Sequence, residues 1–348
     1  MLIALITTTI LTALIVLLPK QLTTIESDTI GVQKFHKDPT PRIGGVPIFI
    51  GFFVGLWFLP IEQEIKLLLL VASLPVFIGG IVEDITAKIT PSQRMLAALV
   101  SVVIAFFWID IKIDSLGFLW VDDVFASYTL VSLLFTMLVM GGAINSLNII
   151  DGNNGLMLGY SILATLAFTY IAYMFGDDLI IQLGVLLTTA LLSILLFNFP
   201  FGKIFIGDGG AYFIGFILAV IGLMLADRHQ EISNWFVLLV FIYPMYEVLY
   251  SMLRRKFITN SNTDEPDALH LHSLIYRKVI PCKKFKNKEH LCNSMVSPLI
   301  WLLSLVGIFP AIIWHDNQTI LIVFTFIFMV IYTLIYKYLS KEKFKFNR

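Results

Sequence analysis

The chain alternates long apolar runs with short polar segments. A transmembrane helix needs about 20 mostly apolar residues. The first apolar run lacks a basic leader and a small-residue cleavage site, so we expect a retained helix rather than a signal peptide. The pattern predicts an all-α, polytopic membrane protein with a single domain over residues 1–348 and about 11 transmembrane helices. The eleven predicted spans are 1–19, 43–60, 66–82, 95–109, 128–144, 156–175, 179–197, 211–226, 235–252, 297–313 and 319–339.

Basic residues divide unequally between the two sides of these spans. Of the 24 Lys and Arg residues, 21 fall on one side, and cytoplasmic loops are the ones that carry excess Lys and Arg. This bias places the N-terminus outside and the C-terminus in the cytoplasm. The predicted cytoplasmic loops are 20–42, 83–94, 145–155, 198–210 and 253–296.

Composition agrees with a membrane protein. Hydrophobic residues make up 58% of the chain and charged residues 14%, whereas soluble domains carry about 25% charged residues. The formal net charge is zero, so nucleic acid is not an expected partner. Two cysteines, Cys282 and Cys292, allow at most one local bridge, and we expect reduced thiols.

The first two predicted cytoplasmic loops carry charges suited to phosphate chemistry. Lys37 and Arg42 flank two prolines before a Gly-Gly pair, where they either bind phosphate or act as basic anchors at the membrane face. Glu83 and Asp84 directly follow an apolar run. Adjacent carboxylates bind Mg²⁺, or one acts as a base whose pKa its neighbour raises, although solvation of a helix end would also explain them.

The next two loops place polar residues among glycines. Asn145, Asn148 and Asp151 recur every three residues, so they project near one another if the helix continues. Asp208 lies between glycines just before an apolar run. It suits a metal ligand beside a phosphate at a helix N-terminus, and a simple N-cap is the alternative.

The last large loop contains two histidines, His270 and His272, in a basic segment. Neutral imidazole at this spacing could bind metal, protonated imidazole could bind phosphate, and incidental surface histidines remain the alternative. Glu247 lies inside a predicted span, where an acid is either functional or a partner for a nearby basic residue.

Five segments in this order resemble the polyprenyl-phosphate N-acetylhexosamine-1-phosphate transferase family, glycosyltransferase family 4, which includes phospho-MurNAc-pentapeptide translocase. The segments are PTPRIGG, EDIT, NSLNIIDGNNGL, NFPFGKIFIGDGG and HLH, within residues 36–280.

The resemblance implies transfer of an N-acetylated sugar 1-phosphate from a UDP-sugar to polyprenyl (undecaprenyl) phosphate, with release of UMP. It implies Mg²⁺ as cofactor, or Mn²⁺ in its place, and an active site on the cytoplasmic face of the plasma (bacterial inner) membrane. The expected partners are the UDP-sugar, the lipid carrier and membrane lipids, and a homodimer is left open.

The resemblance also assigns roles to residues. Asp84, Glu83 and Asp151 are the expected catalytic acids, and Asp208 is the expected Mg²⁺ ligand. The expected substrate-binding residues are Lys37, Arg42, Asn148, Asn154, Asn198, Phe205, His270 and His272.

Three positions depart from the family pattern. Glu83 replaces an Asp, Asn154 replaces a second loop Asp, and Ser273 interrupts the triple-His run of the translocase. The Asn and HLH variants look closest to the branch that initiates O-antigen or capsule synthesis.

A membrane transporter is the alternative function. Transporters place ion-binding carboxylates near the membrane midplane on broken helices, whereas most of the acids described above lie at predicted cytoplasmic ends. The sequence therefore favours an enzyme.

Overall fold

A computed structural model describes residues 1–18, 40–259, 269–282 and 289–340. Within those ranges the chain is helical and has no strand, which confirms the predicted all-α class. The helices are α1 Leu2–Leu17, α2 Gly45–Trp57, α3 Gln63–Thr86, α4 Pro91–Trp108, α5 Leu119–Ser127, α6 Thr129–Ile150, α7 Leu156–Phe175, α8 Asp178–Asn198, α9 Gly207–Arg228, α10 Asn234–Val240, α11 Ile242–Arg254, α12 Leu271–Lys278, α13 Glu289–Ser294, α14 Val296–Ile313 and α15 Gln318–Ser340.

Each of the eleven apolar runs forms helix, but the count of eleven spans is not confirmed. In the described ranges eight helices are long and apolar enough to cross a membrane, or nine if the bent pair α10 and α11 is one span. That pair bends by 71°. Helices α1 and α2 have 16 and 13 residues, or about 24 and 20 Å at 1.5 Å per residue, against about 30 Å of hydrocarbon. The chain is a multi-pass membrane protein.

Helix α9 forms the centre of the bundle. Every residue from Gly207 to Ala226 is buried, because α2, α3, α6 and α7 pack around it. Small residues make the closest approaches possible. A Cβ on Gly45 would lie 2.3 Å from the backbone nitrogen of Gly210, and one on Gly80 would lie 2.4 Å from the Cα of Gly209. Larger side chains there would push α2 and α3 away from the start of α9.

Three predicted loops begin or end inside helices. Glu83 and Asp84 belong to the last turn of α3, Asn148 to the last turn of α6, and Asp208 to the first turn of α9. The apolar pattern stops where side chains become polar, but backbone hydrogen bonding continues through those residues. We call the end of the bundle where these residues meet the motif end.

The predicted loop 253–296 contains helical segments. A single π-helical turn, Arg255–Thr259, extends α11, and α12 and α13 follow. The Cα atoms of Cys282 and Cys292 lie 5.5 Å apart, close enough for the one local bridge that the sequence allows, and the expectation of reduced thiols stays a prediction. Sequence alone could not show that α13 brings the two residues together.

Candidate functional site

Two segments that are distant in sequence pair at the motif end. The amide of Phe205 donates to the carbonyl of Pro41 over 2.8 Å, and the amide of Gly44 donates to the carbonyl of Phe205 over 2.9 Å. Gly45 makes a similar bond to Ile206. These bonds hold the PTPRIGG segment along the loop that enters α9. Arg42 therefore lies beside the first turn of that helix.

Asp208 lies between two guanidinium groups. Nη1 of Arg94 contacts its Oδ2, and Nη2 of Arg42 lies 4.0 Å from its Oδ1. The side chain of Asp208 is 10% exposed and that of Arg42 is 53% exposed. A nearly buried carboxylate thus has an accessible cation at its rim, which suits the entry of an anionic ligand.

Arg94 is a site residue that the motifs did not identify. Thr90 caps α4 with a complete capping box to Gln93, and Pro91 occupies the first turn. This start places Arg94 one turn into α4. The capping signal was readable in the sequence, but it could not show that this turn faces Asp208.

Asp84 holds the beginning of α9. The amide of Asp208 donates to its Oδ1 over 2.7 Å, and the amide of Gly209 donates to its Oδ2 over 2.9 Å. Gly207 has a φ of +75°, and a Cβ there would lie 2.1 Å from the carbonyl oxygen of Arg42 and 2.5 Å from the Asp84 carboxylate. The carboxylate occupies the helix N-terminus, where free N–H groups and the helix dipole favour negative charge.

Glu83 contacts a different segment. Its Oε2 accepts a hydrogen bond of 2.7 Å from the amide of Ile89, in the turn between α3 and α4. The two adjacent acids therefore have different partners. Asp84 holds the start of α9, whereas Glu83 holds the turn that leads to Arg94.

Asp151 follows α6 and is half-buried. Burial raises the pKa of its carboxyl to about 7, although the positive charge of Arg42 opposes the rise. One and two turns earlier, Asn148 and Asn145 both lie against Tyr212 of α9, whose hydroxyl donates to Oδ1 of Asn145 over 3.4 Å. The predicted three-residue spacing brings Asn145 and Asn148 to the side of α6 that faces Tyr212.

Asn154 and Asn198 are buried and bonded within the protein. Oδ1 of Asn293 accepts the amide of Asn154 over 2.7 Å. Oδ1 of Asn198 accepts the amide of Gly155 over 2.5 Å, and its Nδ2 donates to the carbonyl of Ile204 over 2.7 Å. Both asparagines hold loops in place here. Their predicted contacts with the nucleotide remain predictions, as does that of Phe205, whose backbone joins the two paired segments.

The two histidines reach the same end of the bundle. Their rings stack with centroids 5.4 Å apart and planes 7° apart. A Cβ on Gly152 would lie 2.5 Å from Nε2 of His272, so His272 lies against the turn that follows Asp151. Lys37, the remaining predicted residue, lies outside the described residues.

The donor set fits Mg²⁺ in one particular mode. Where the structure describes the chain, no three His, Cys, Asp or Glu side chains gather as a metal cage. Phosphate-transfer sites instead hold Mg²⁺ by one or two carboxylates, with waters and substrate phosphates as the other ligands. Asp208 offers such a carboxylate, and Asp84 and Asp151 lie close enough to repel each other.

A model of a known protein family matches the part of the chain that forms the centre of this site. The family described as Glycosyl transferase family 4 matches residues 66–226. The match includes Glu83, Asp84, Asp151, Asn198 and Asp208.

Three curated proteins illustrate the similarity. A probable undecaprenyl-phosphate N-acetylglucosaminyl 1-phosphate transferase of Bacillus subtilis is 26% identical over 69% of the chain and 66% of its own length. An undecaprenyl-phosphate alpha-N-acetylglucosaminyl 1-phosphate transferase of Salmonella typhi is 28% identical over 70% of the chain and 67% of its own. A phospho-N-acetylmuramoyl-pentapeptide-transferase of Staphylococcus carnosus is 27% identical over 68% and 77%.

The chain thus spans about two thirds of the length of the B. subtilis and S. typhi relatives. These matches agree with the resemblance that the ordered motifs indicate. Over residues 66–226 the chain is similar to glycosyl transferase family 4.

Proposed function

We propose that this protein transfers an N-acetylated sugar 1-phosphate from a UDP-sugar to polyprenyl phosphate. An oxygen of the lipid phosphate attacks the phosphorus that bears the sugar, and the bond to the α-phosphate breaks. The products are a polyprenyl-diphosphate-sugar and UMP, and the reaction initiates a cell-envelope polysaccharide. The names of the matched relatives support this chemistry.

The single observation that carries the proposal is the arrangement around Asp208. A carboxylate on the first turn of α9, which is buried from Gly207 to Ala226, lies beside Arg94 and Arg42. Like charges 4 Å apart repel by about 4 kcal/mol at an effective dielectric of 20. A phosphate that attacks a diphosphate meets several such pairs, and two guanidinium groups at one point offset them.

Each residue of the site has a separate role in this proposal. Arg42 and Arg94 bind and orient phosphates, and Asp208 is the residue that would hold Mg²⁺. When bound there, Mg²⁺ neutralises charge on the phosphate oxygens. Asp84 keeps Asp208 in register through the two backbone amides it accepts. Asp151, with its pKa near neutrality, can hold or release a proton beside the attacking phosphate.

The membrane orientation completes the proposal. The excess of Lys and Arg in the predicted inner loops supports a motif end on the cytoplasmic face. In our proposal this is the cytoplasmic face of the bacterial inner membrane, where a soluble UDP-sugar can reach the site. The isoprenoid chain of the acceptor stays in lipid. The family match does not support the transporter alternative.

The test is turnover by the purified protein. It is incubated with undecaprenyl phosphate, Mg²⁺ and UDP-N-acetylglucosamine, UDP-N-acetylgalactosamine or UDP-MurNAc-pentapeptide, and UMP is measured. We expect lipid-dependent UMP release with one of these donors and none in excess EDTA. Release of UDP instead of UMP, or full turnover in EDTA, would refute the proposal.

A further inference from the structure

Glu247 is a buried acid that the proposed reaction does not yet use. It lies in the middle of α11 and is 1% exposed. Burying a carboxylate is costly unless hydrogen-bond donors surround it. Its partners therefore indicate what the side chain is for.

One oxygen of Glu247 holds the start of the histidine motif. Oε1 accepts the backbone amide of Leu271 and faces Nδ1 of His270, both at 3.0 Å. A carboxylate that already accepts an amide presents a lone pair to the imidazole, so Nδ1 is the protonated nitrogen. The bond on one ring nitrogen of a histidine fixes the state of the other, and Nε2 points away from Glu247.

The His270 ring is connected to the site through His272. His270 stacks on His272, and Nε2 of His272 lies at Gly152, next to Asp151. A second anchor acts on the same segment from α15, where the hydroxyl of Tyr336 donates to the carbonyl of Leu269 over 2.9 Å. Glu247 bonds to the His270 ring itself, whereas the bond from Tyr336 goes to the backbone of Leu269.

We propose that Glu247 is a positioning residue, and that its carboxylate keeps His270 as an Nδ1–H donor and so holds the stacked His270–His272 pair beside the turn that follows Asp151. This inference rests on the proposed function for the identity of the substrates. It assigns the intramembrane acid to the histidine motif rather than to ion transport. It also explains why an expensive buried charge is retained at this point of α11.

A double-mutant cycle tests the proposal. Glu247→Gln keeps an acceptor oxygen but removes the charge. His270→Asn keeps a nitrogen near the Nδ1 position and removes the Nε2 edge. We expect Glu247→Gln to lower kcat/KM by about 10- to 100-fold, as for other carboxylates that orient a histidine, and by less than about twofold when His270 is already Asn.

Tyr336→Phe is the matched control. It removes the other anchor of the segment without touching the His270 ring, so its smaller loss of activity should persist unchanged in the His270→Asn background. If Glu247→Gln also lost the same factor in both backgrounds, its role would be structural anchoring and the proposal would be wrong. Thermal unfolding of each variant reports any loss of fold.

A spectroscopic measurement separates this inference from the proposed function. Solid-state ¹⁵N NMR of histidine-labelled protein in bilayers, with His270→Asn to assign the signal, should show a proton on Nδ1 of His270. A bare Nδ1 with the proton on Nε2 would overturn the inference even if the enzyme is active. Absence of UMP release from wild-type protein would refute the proposed function, and the NMR result would still decide whether Glu247 fixes this ring.

Discussion

The two ends of α9 carry the same kind of charge cluster in two different states. At the motif end Asp208 lies beside Arg94 and Arg42. At the opposite end Asp177, just before α8, binds Arg228 with distances of 2.6 and 3.2 Å and His229 at 2.9 Å. Both clusters place an acid at the start of a helix, Asp177 as the N-cap of α8 and Asp208 in the first turn of α9, and Arg228 lies in the last turn of α9, so both agree with the helix dipole.

The difference lies in how completely each carboxylate is satisfied. Asp177 is 0% exposed at the side chain and also accepts the backbone amide of Ile180 over 3.2 Å. All of these partners of Asp177 belong to the protein, and they join the start of α8 to the end of α9. Asp208 has a half-exposed arginine 4.0 Å from one oxygen, so a phosphate or cation can enter by exchanging one contact. We call the Asp177 cluster the clasp, and the Asp208 cluster is the proposed binding site.

The largest expected effect separates these two acids. Asp208→Asn should lower turnover by on the order of 100-fold or more, as loss of one electrostatic group in a transfer site does, with the fold intact. Asp177→Asn should keep turnover within about twofold because no substrate reaches it. UMP release by both variants is the measurement, and equal losses would erase the distinction between clasp and site.

Arg94 provides the next test. Arg94→Gln removes the cation that contacts Asp208, and we expect a 10- to 100-fold loss of kcat/KM, about 1.4–2.7 kcal/mol. Lys88→Gln is the control, because Lys88 is an exposed basic residue of the same α3–α4 turn. A similar loss in both variants would mean that only the general positive charge of this turn matters.

Substitutions in the acidic pair, Glu83 and Asp84, should have smaller effects on turnover, and the two residues should differ in the size of the loss. Asp84→Asn can accept only one of the two α9 amides, and an unpaired buried donor costs about 1–3 kcal/mol. We expect about a tenfold loss of turnover that added Mg²⁺ does not restore, with a lower unfolding temperature.

Glu83→Gln is the matched variant for this pair. It still accepts the amide of Ile89, so its turnover should fall by less than about threefold. If Glu83→Gln lost most activity while Asp84→Asn kept it, Glu83 would be the acid that acts on the lipid phosphate.

The smallest effect on turnover is expected at Asp177, at the opposite end of α9, where a substitution should change stability instead. Burial raises the pKa of Asp177, but bonds from Arg228, Ile180 and His229 outweigh it and hold that pKa below its usual range. A lowered folded-state pKa gives stability that is complete above about pH 4, the unfolded value, and is lost as pH falls through the folded value.

Asp177→Asn should therefore lower the unfolding temperature at pH 7 and flatten its fall in acid. Unfolding scans in detergent between pH 3 and 7 measure both. An unchanged acid limb would show that Asp177 does not contribute to stability through its charge.

Much of this could be predicted from the sequence, because apolar runs predict helices directly and the family motifs occur in unbroken order. Helix ends were misplaced because Asp84 and Asn148 are polar yet helical. The clasp and Arg94 were missed because both depend on which face of a helix meets which neighbour. Asn154 and Asn198 show another limit: the motif predicts substrate contact, which stays a prediction, and could not show the bonds by which both residues hold loops together.

The most direct test of the central claim follows the phosphorus atom. UDP-N-acetylhexosamine labelled with ³²P at the β-phosphate is incubated with undecaprenyl phosphate, Mg²⁺ and wild-type, Asp208→Asn or Asp177→Asn protein, and the lipid phase is counted. The account predicts that the label enters the lipid with wild-type and Asp177→Asn protein and stays in water with Asp208→Asn. Label that remains in water as UDP while sugar enters the lipid, or transfer by Asp208→Asn equal to wild type, would contradict it.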